Sequence, residues 1–252
     1  MRDTQAKASW EGTVVSVQPR STVWRYLTDN RTHRECGYNV FIDGSIDWGG
    51  GDPAPLRAPA GNGYGFCVAI SGKQQERLAL RIGDGVKGTG WTPLHPEAEF
   101  ADLYRAGALK VTSRADADRA GTVVVMDEEG PGCDYGPIPR VISSGYPGPP
   151  WTMAAPPLDV YAWRGARMLS KASWKSGCLP CVWANMANVT IQYNFDTGTV
   201  RNRFETFCYG PLSCKRYRMG PARSVPYSGR GSASDCGWLD EIMVGYRSGR
   251  DE

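Results

Sequence analysis

Apolar and polar positions alternate in short runs along the first hundred residues, the pattern of half-buried strands. Residues 12–20 are a β-branched run closed by Pro19. Residues 38–43 place Tyr38, Val40 and Ile42 on one face, and residues 66–71 do the same with Phe66, Val68 and Ile70. Those two faces are expected to meet in a core. Residues 74–80 predict one or two helical turns, residues 82–88 a tight turn entering a strand that runs through Trp91, and residues 108–113 a last strand. Five short strands with a small helix between the third and fourth predict a mainly β fold, beginning with an OB-like five-stranded barrel over residues 10–115. The rival architecture is a small β-sandwich. The apolar-Gly-Asp-x-Val-x-Gly run at 82–88 resembles the turn that leads into the fourth strand of many OB folds.

The pattern changes over residues 116–157. An acidic run at 127–129 is followed by Gly130-Pro131-Gly132 and a proline-rich stretch through Trp151 to Pro157. Prolines preset extended geometry, so this segment predicts a semi-rigid connector. Beyond it, residues 158–169 carry Leu158, Tyr161, Ala162 and Met168 at helical spacing. Residues 188–195 and 199–207 then alternate as two strands joined by a hairpin turn at Asp196-Thr197-Gly198.

That hairpin gives meaning to the cysteines. Four of the eight bracket it, Cys178 and Cys181 as a C-x2-C pair and Cys208 and Cys214 as a C-x5-C pair. A hairpin returns its ends to one place, so both pairs are expected to converge as four thiolates around zinc, a saturated structural site with no open position for substrate. The C-x5-C spacing departs from that of zinc ribbons and leaves an iron–sulfur cluster as the alternative; buried thiols without metal are the third reading. Residues 158–252 are thus expected to form a basic, zinc-ribbon-like four-cysteine module. Cys67 reads as an ordinary buried strand residue. Cys36 lies near His33, but loop spacing alone defines no nucleophile–base pair.

Enzymatic signals are absent from the pattern. His33 and His95 are the only histidines, no carboxylate pair has acid–base spacing, and the glycines at 61–65 and 83–88 lack the Gly-Lys-Ser/Thr helix entry of a phosphate loop. Charge changes the picture more. The net charge is only +3, yet residues 158–230 hold eleven Lys or Arg against Asp159, Asp196 and Glu205. Lys215, Arg216 and Arg218 follow Cys214, Arg223 follows a Gly-Pro turn, and Arg201 and Arg203 share a face of the second hairpin strand. In the first half, Arg20, Trp24, Arg25, Tyr26 and Arg31 are expected in the loop after the first strand, a place where OB folds hold single strands. Basic groups bind phosphates and aromatic rings stack bases. The reading is therefore a non-enzymatic nucleic-acid-binding protein, its partner single-stranded or structured RNA or DNA, or a ribonucleoprotein. An iron–sulfur redox or sensing protein is one alternative, and an assembly module that docks a protein partner through residues 220–231 is another.

Met1 to Trp10 is polar, with no signal-peptide core, and no apolar run approaches the length of a membrane span. A cytoplasmic, membrane-free location is expected, where reducing conditions favour metal over disulfides. Residues 12–20, 203–214 and 220–223 resemble a prokaryotic protein family of unassigned activity, with an OB-like first half and a four-cysteine second half; the resemblance implies no mechanism and no functional residue. A barrel joined to a zinc ribbon is also similar in build to many transcription, translation and replication accessory proteins.

Overall fold

The computed structural model describes residues 5–25, 31–50, 56, 64–115, 122–126, 139–143, 154–194, 199–210 and 214–220. In chain order it contains β1 (Lys7–Arg25), β2 (Arg31–Asp47), β3 (Phe66–Ile70), α1 (Gly72–Leu78), β4 (Gly85–Trp91) and β5 (Tyr104–Ser113). Then come β6 (Thr122–Met126), β7 (Pro139–Ser143), α2 (Leu158–Arg164), β8 (Arg167–Met168), α3 (Lys171–Ser173), a π turn (Trp174–Cys178), β9 (Ala184–Asn194) and β10 (Thr199–Cys208). The fold is mainly β. Eight strands form one open mixed sheet in the order β3-β2-β1-β9-β10-β8, with β4 also on β1 and β5 on β4, and β6 and β7 form a separate antiparallel pair.

Strand β1 organises the sheet. It runs antiparallel to β2 along its length, while its other edge is shared: Lys7–Thr13 pairs with β4, and Thr22–Arg25 pairs in parallel with Asn188–Ile191 of β9. Bulges between Val14 and Ser16 and between Arg20 and Ser21 lie between those two partners, where an extra residue bends the strand and increases its twist. Pro19, expected to close the first strand, instead falls inside it, in the stretch where β2 is the only strand partner among the described residues; proline is tolerated in a strand at such edges and bulges. Close to the β4 end, Gly12 lies opposite Gly44. A Cβ on Gly12 would run into the Asp43 carbonyl oxygen, and one on Gly44 into that of Glu11. The two backbones approach more closely than any side chain allows.

The expected core faces meet in register: Tyr38 opposite Ile70, Val40 opposite Val68 and Ile42 opposite Phe66, all buried. The intervening positions Asn39, Phe41, Cys67 and Ala69 are buried as well, under both halves of the chain: Tyr64 and Phe100 pack on Phe41, and Asp102 accepts the Cys67 amide. The Trp174 ring lies 5.8 Å from that of Phe41. On the same face the Gln18 amide donates to the carbonyls of Cys178 (3.2 Å) and Leu179 (2.6 Å), and accepts from Trp174 Nε1 (3.1 Å). Covering both faces turns the alternation into the unbroken burial seen along Phe66–Ile70. One contiguous apolar core therefore includes Trp10, Phe41 and Phe66 together with Tyr161, Trp183 and Phe207.

Other boundaries moved for local reasons. Helix α1 starts earlier than expected because Ser71 caps it in a capping box with Gln74, and it ends where Ala79 turns left-handed at φ 45°. The helix expected over 158–169 stops at Arg164, before the short strand β8, which pairs with the end of β10. Of the expected connector, the β6–β7 pair, an Ala154 bridge to Arg81 and a 2.6 Å hydrogen bond from Tyr38 Oη to the Pro156 carbonyl are described; residues 116–121, 127–138 and 144–153 lie outside the described residues. The β9–β10 hairpin forms as expected. Among the described residues, no helix is long and apolar enough to cross a membrane.

Candidate functional site

The hairpin register sets Cys208 opposite Ala184. The Ala184 amide donates to the Cys181 carbonyl (3.1 Å), and the Cys181 amide to that of Cys178 (3.0 Å), so the C-x2-C turn abuts the end of β10. Two cysteine sulfurs accept a backbone N–H from the second residue onward: Cys208 from Gly210 at 3.3 Å, and Cys181 from Trp183. Cys178, Cys181 and Cys208 are buried and Cys214 half-buried, all free thiols. Burial, together with the nearby Cys208 and Cys214, pushes the Cys178 thiol up to about 12, while Arg216 pulls the other way. Burial also holds Cys181 well above the ordinary thiol range, with Cys208, Cys178 and Cys214 adding to the rise. The four expected cysteines are thus electrostatic neighbours. As the side chains stand, no group of three or more His, Cys, Asp or Glu among the described residues is arranged to hold a metal ion.

The basic residues divide between the two ends of β10. At the cysteine end, Lys215 and Arg218 are exposed and Arg216 is half-buried. Arg218 Nη1 donates to the carbonyls of Lys215 (2.9 Å) and Tyr217 (2.8 Å). Arg216 packs against Gly177, where a Cβ would stand 2.6 Å from its Nη1. Tyr26 and Arg223 lie outside the described residues. Arg20, Trp24 and Arg25, expected in a loop, belong to β1, because the pairing with β2 continues past Pro19 as far as Arg25 opposite Arg31. The Arg20 guanidinium donates to the Cys36 carbonyl (2.8 Å) and lies 5.7 Å from the centre of the Tyr104 ring. Arg203 holds the fully buried Glu205 at 2.7 Å.

At the far end, register produces an arrangement that residue spacing did not. Arg25 lies opposite Arg31 on one side and Ile191 on the other, and Ile191 lies opposite Arg201. Arginines therefore take three of the four positions in one transverse row across β2, β1, β9 and β10. The adjacent row holds Thr32, Trp24, Thr190 and Asn202, and neighbouring rows belong to opposite faces of a sheet. The row after that holds His33, Val23, Val189 and Arg203.

A polar network that sequence reasoning missed gathers at the cysteine end of β10. Tyr209, between Cys208 and Gly210, brings its hydroxyl to His33 Nε2 (2.7 Å), Glu35 Oε1 (3.2 Å) and Asn185 Nδ2 (3.4 Å). Asn185 donates in turn to Ser21 Oγ (2.5 Å), and Arg164 Nε to the Tyr209 carbonyl (2.7 Å). Burial raises the Tyr209 hydroxyl well above the ordinary phenol range, and the Glu35 carboxylate raises it further. Strands β1, β2, β9 and the end of β10 meet at this one buried oxygen. The chain matches no protein-family model, no curated protein and no solved structure.

Proposed function

We propose that this chain is a non-enzymatic nucleic-acid-binding protein in which a four-cysteine zinc centre staples the β9–β10 hairpin. The observation that carries the binding reading is the transverse row of Arg31, Arg25 and Arg201. Neighbouring strands lie about 4.8 Å apart, so the row spans about 14 Å. Like charges on directly opposed strand positions repel, and a polyanion laid across the row relieves that repulsion while releasing its own counterions. Lys215, Arg216 and Arg218 supply a second cationic turn about 20 Å further along β10, at about 3.3 Å per residue.

The zinc reading rests on convergence: two cysteine pairs joined through the register of the hairpin, two of their sulfurs already accepting backbone N–H groups. Side-chain rotation has to complete the tetrahedron. Four thiolates and Zn2+ would then form a closed structural centre.

For residues 10–115 the finer reading is an OB-like barrel. It is supported by the neighbour order β3-β2-β1-β4-β5, by α1 between β3 and β4, and by a parallel bridge from Val68 to Leu103 just before β5. In OB folds the face of strands two and three commonly binds the ligand; here Trp174 and Gln18 contacts fill the corresponding face. Nucleic acid is accordingly assigned to the arginine row. The test is fluorescence anisotropy with single-stranded DNA and RNA oligonucleotides, comparing the wild type with Arg25→Gln/Arg31→Gln/Arg201→Gln. At least a tenfold loss of affinity is expected with the far-UV spectrum unchanged, and equal affinity would sink the proposal.

A further inference from the structure

The outer face of β1, β2, β4 and β5 forms a groove of about 470 Å3, lined by Ser9, Glu11, Ser45, Asp47, Lys87 and Lys110 among others. That volume falls in the range of small-molecule sites, roughly 300–1,000 Å3. Register arranges its charges. One transverse row reads Ser45, Glu11, Lys87, Lys110, and the next row on the same face reads Asp47, Ser9, Thr89. Cations thus gather over β4 and β5, while carboxylates and hydroxyls gather over β1 and β2.

Lys87 and Lys110 are directly opposed, and among the described residues neither forms an ion pair. Two exposed ammonium groups held side by side repel each other, so a dianion between them lowers the energy of the site. Next to them Ala108, which also lines the groove, is held left-handed at φ 47°. A non-glycine residue in that region costs energy, and such residues cluster at ligand sites. Asp47 accepts the Gly49 amide at 2.9 Å, which fixes its carboxylate at the rim. Carboxylates at one end exclude a second anionic group and accept hydrogen bonds from hydroxyls.

We propose that this groove binds a phosphomonoester of a sugar, with the phosphate between Lys87 and Lys110 and the sugar hydroxyls on Glu11, Asp47 and the neighbouring Ser9, Ser45 and Thr89. The same chemistry is offered by a free sugar phosphate and by the 5′-phosphorylated end of a nucleic acid. The site stands apart from the arginine row, so its failure leaves the nucleic-acid reading untouched.

Calorimetric titration of the full chain with ribose 5-phosphate and with ribose tests it, alongside anisotropy with 5′-phosphate and 5′-hydroxyl forms of one oligonucleotide. Saturable binding of ribose 5-phosphate, at least tenfold weaker in Lys87→Ala/Lys110→Ala and several-fold weaker in Glu11→Gln, supports a free sugar phosphate. Preference for the 5′-phosphate oligonucleotide, abolished in the double lysine variant, supports a nucleic-acid end. Neither effect, or effects that survive in the double variant with its fold intact, overturns the proposal.

Discussion

Replacing Tyr209 by phenylalanine removes one buried oxygen and nothing else of comparable size. That oxygen serves His33, Glu35 and Asn185 at 2.7, 3.2 and 3.4 Å. Leaving buried polar groups without their partner costs about 1–3 kcal/mol. All three keep another contact: Asn185 retains Ser21 at 2.5 Å, and His33 and Glu35 stand 3.7 Å apart. The expected loss is therefore in the lower half of that range, about 1.5 kcal/mol. For a chain of this length that corresponds to a fall in Tm of roughly 3–6 °C. Urea and thermal unfolding of the full chain read the loss. A double-mutant cycle with Glu35→Gln should give a coupling of at least about 0.5 kcal/mol, because the two groups share one network. A Tm within 1 °C of wild type, with additive variants, would refute the claim that this hydroxyl ties β2 to the end of β10.

Other consequences follow from the same geometry. Gly44→Ala drives a Cβ into the Glu11 carbonyl oxygen, so it should cost about 2–4 kcal/mol in urea unfolding, in the range of severe backbone clashes; a change under about 0.5 kcal/mol, the size of an ordinary surface substitution, would mean the strands do not cross so closely. Burial raises Tyr38, Tyr104 and Tyr161 above the ordinary phenol value. They stay protonated in the folded chain while the unfolded chain releases protons above pH 10. Stability present below pH 10 should then fall by about 1.4 kcal/mol per pH unit for each such tyrosine as pH rises further. Phenolate absorbance titration checks this, and full ionisation of the native protein near pH 10 would contradict it. Metal analysis of anaerobically purified protein should find about one zinc per chain, lost in Cys178→Ser together with thermal stability; iron with sulfide and a broad visible band would replace zinc by a cluster.

What the sequence disclosed was local. Alternation located one face of residues 38–42 and one of 66–70, and these two strands pair in register, although burial on their other face leaves no period of two in the folded chain. Residues 74–80 announced a helix but not its start, which the Ser71–Gln74 capping box sets earlier, and the two strand-like runs around Asp196 gave the β9–β10 hairpin. What it hid was long-range. Nothing in the run up to Pro19 announced that β1 continues to Arg25, where it pairs with residues 31–35 of β2 on one side and with residues 188–191, more than 160 residues away, on the other. The burial of Gln18 was equally hidden, because it is imposed by Trp174 and Leu179 from the second half. Among the basic residues, the sequence suggested two sets, one on the four-cysteine module and one in the loop after the first strand. Register separates them: Arg20 is fastened to Cys36, Arg203 to Glu205, and Arg25 is set in line with Arg31 and Arg201.

The arginine row is tested most directly by the salt dependence of single-stranded nucleic-acid binding, measured as log K against log salt for the wild type and the triple Arg25→Gln/Arg31→Gln/Arg201→Gln variant. Three phosphates neutralised by three arginines correspond to a difference in slope of about 2. A steeper wild-type slope that flattens by about that amount in the variant is the expected result. Parallel slopes, or a wild type that binds no nucleic acid at low salt, would contradict it.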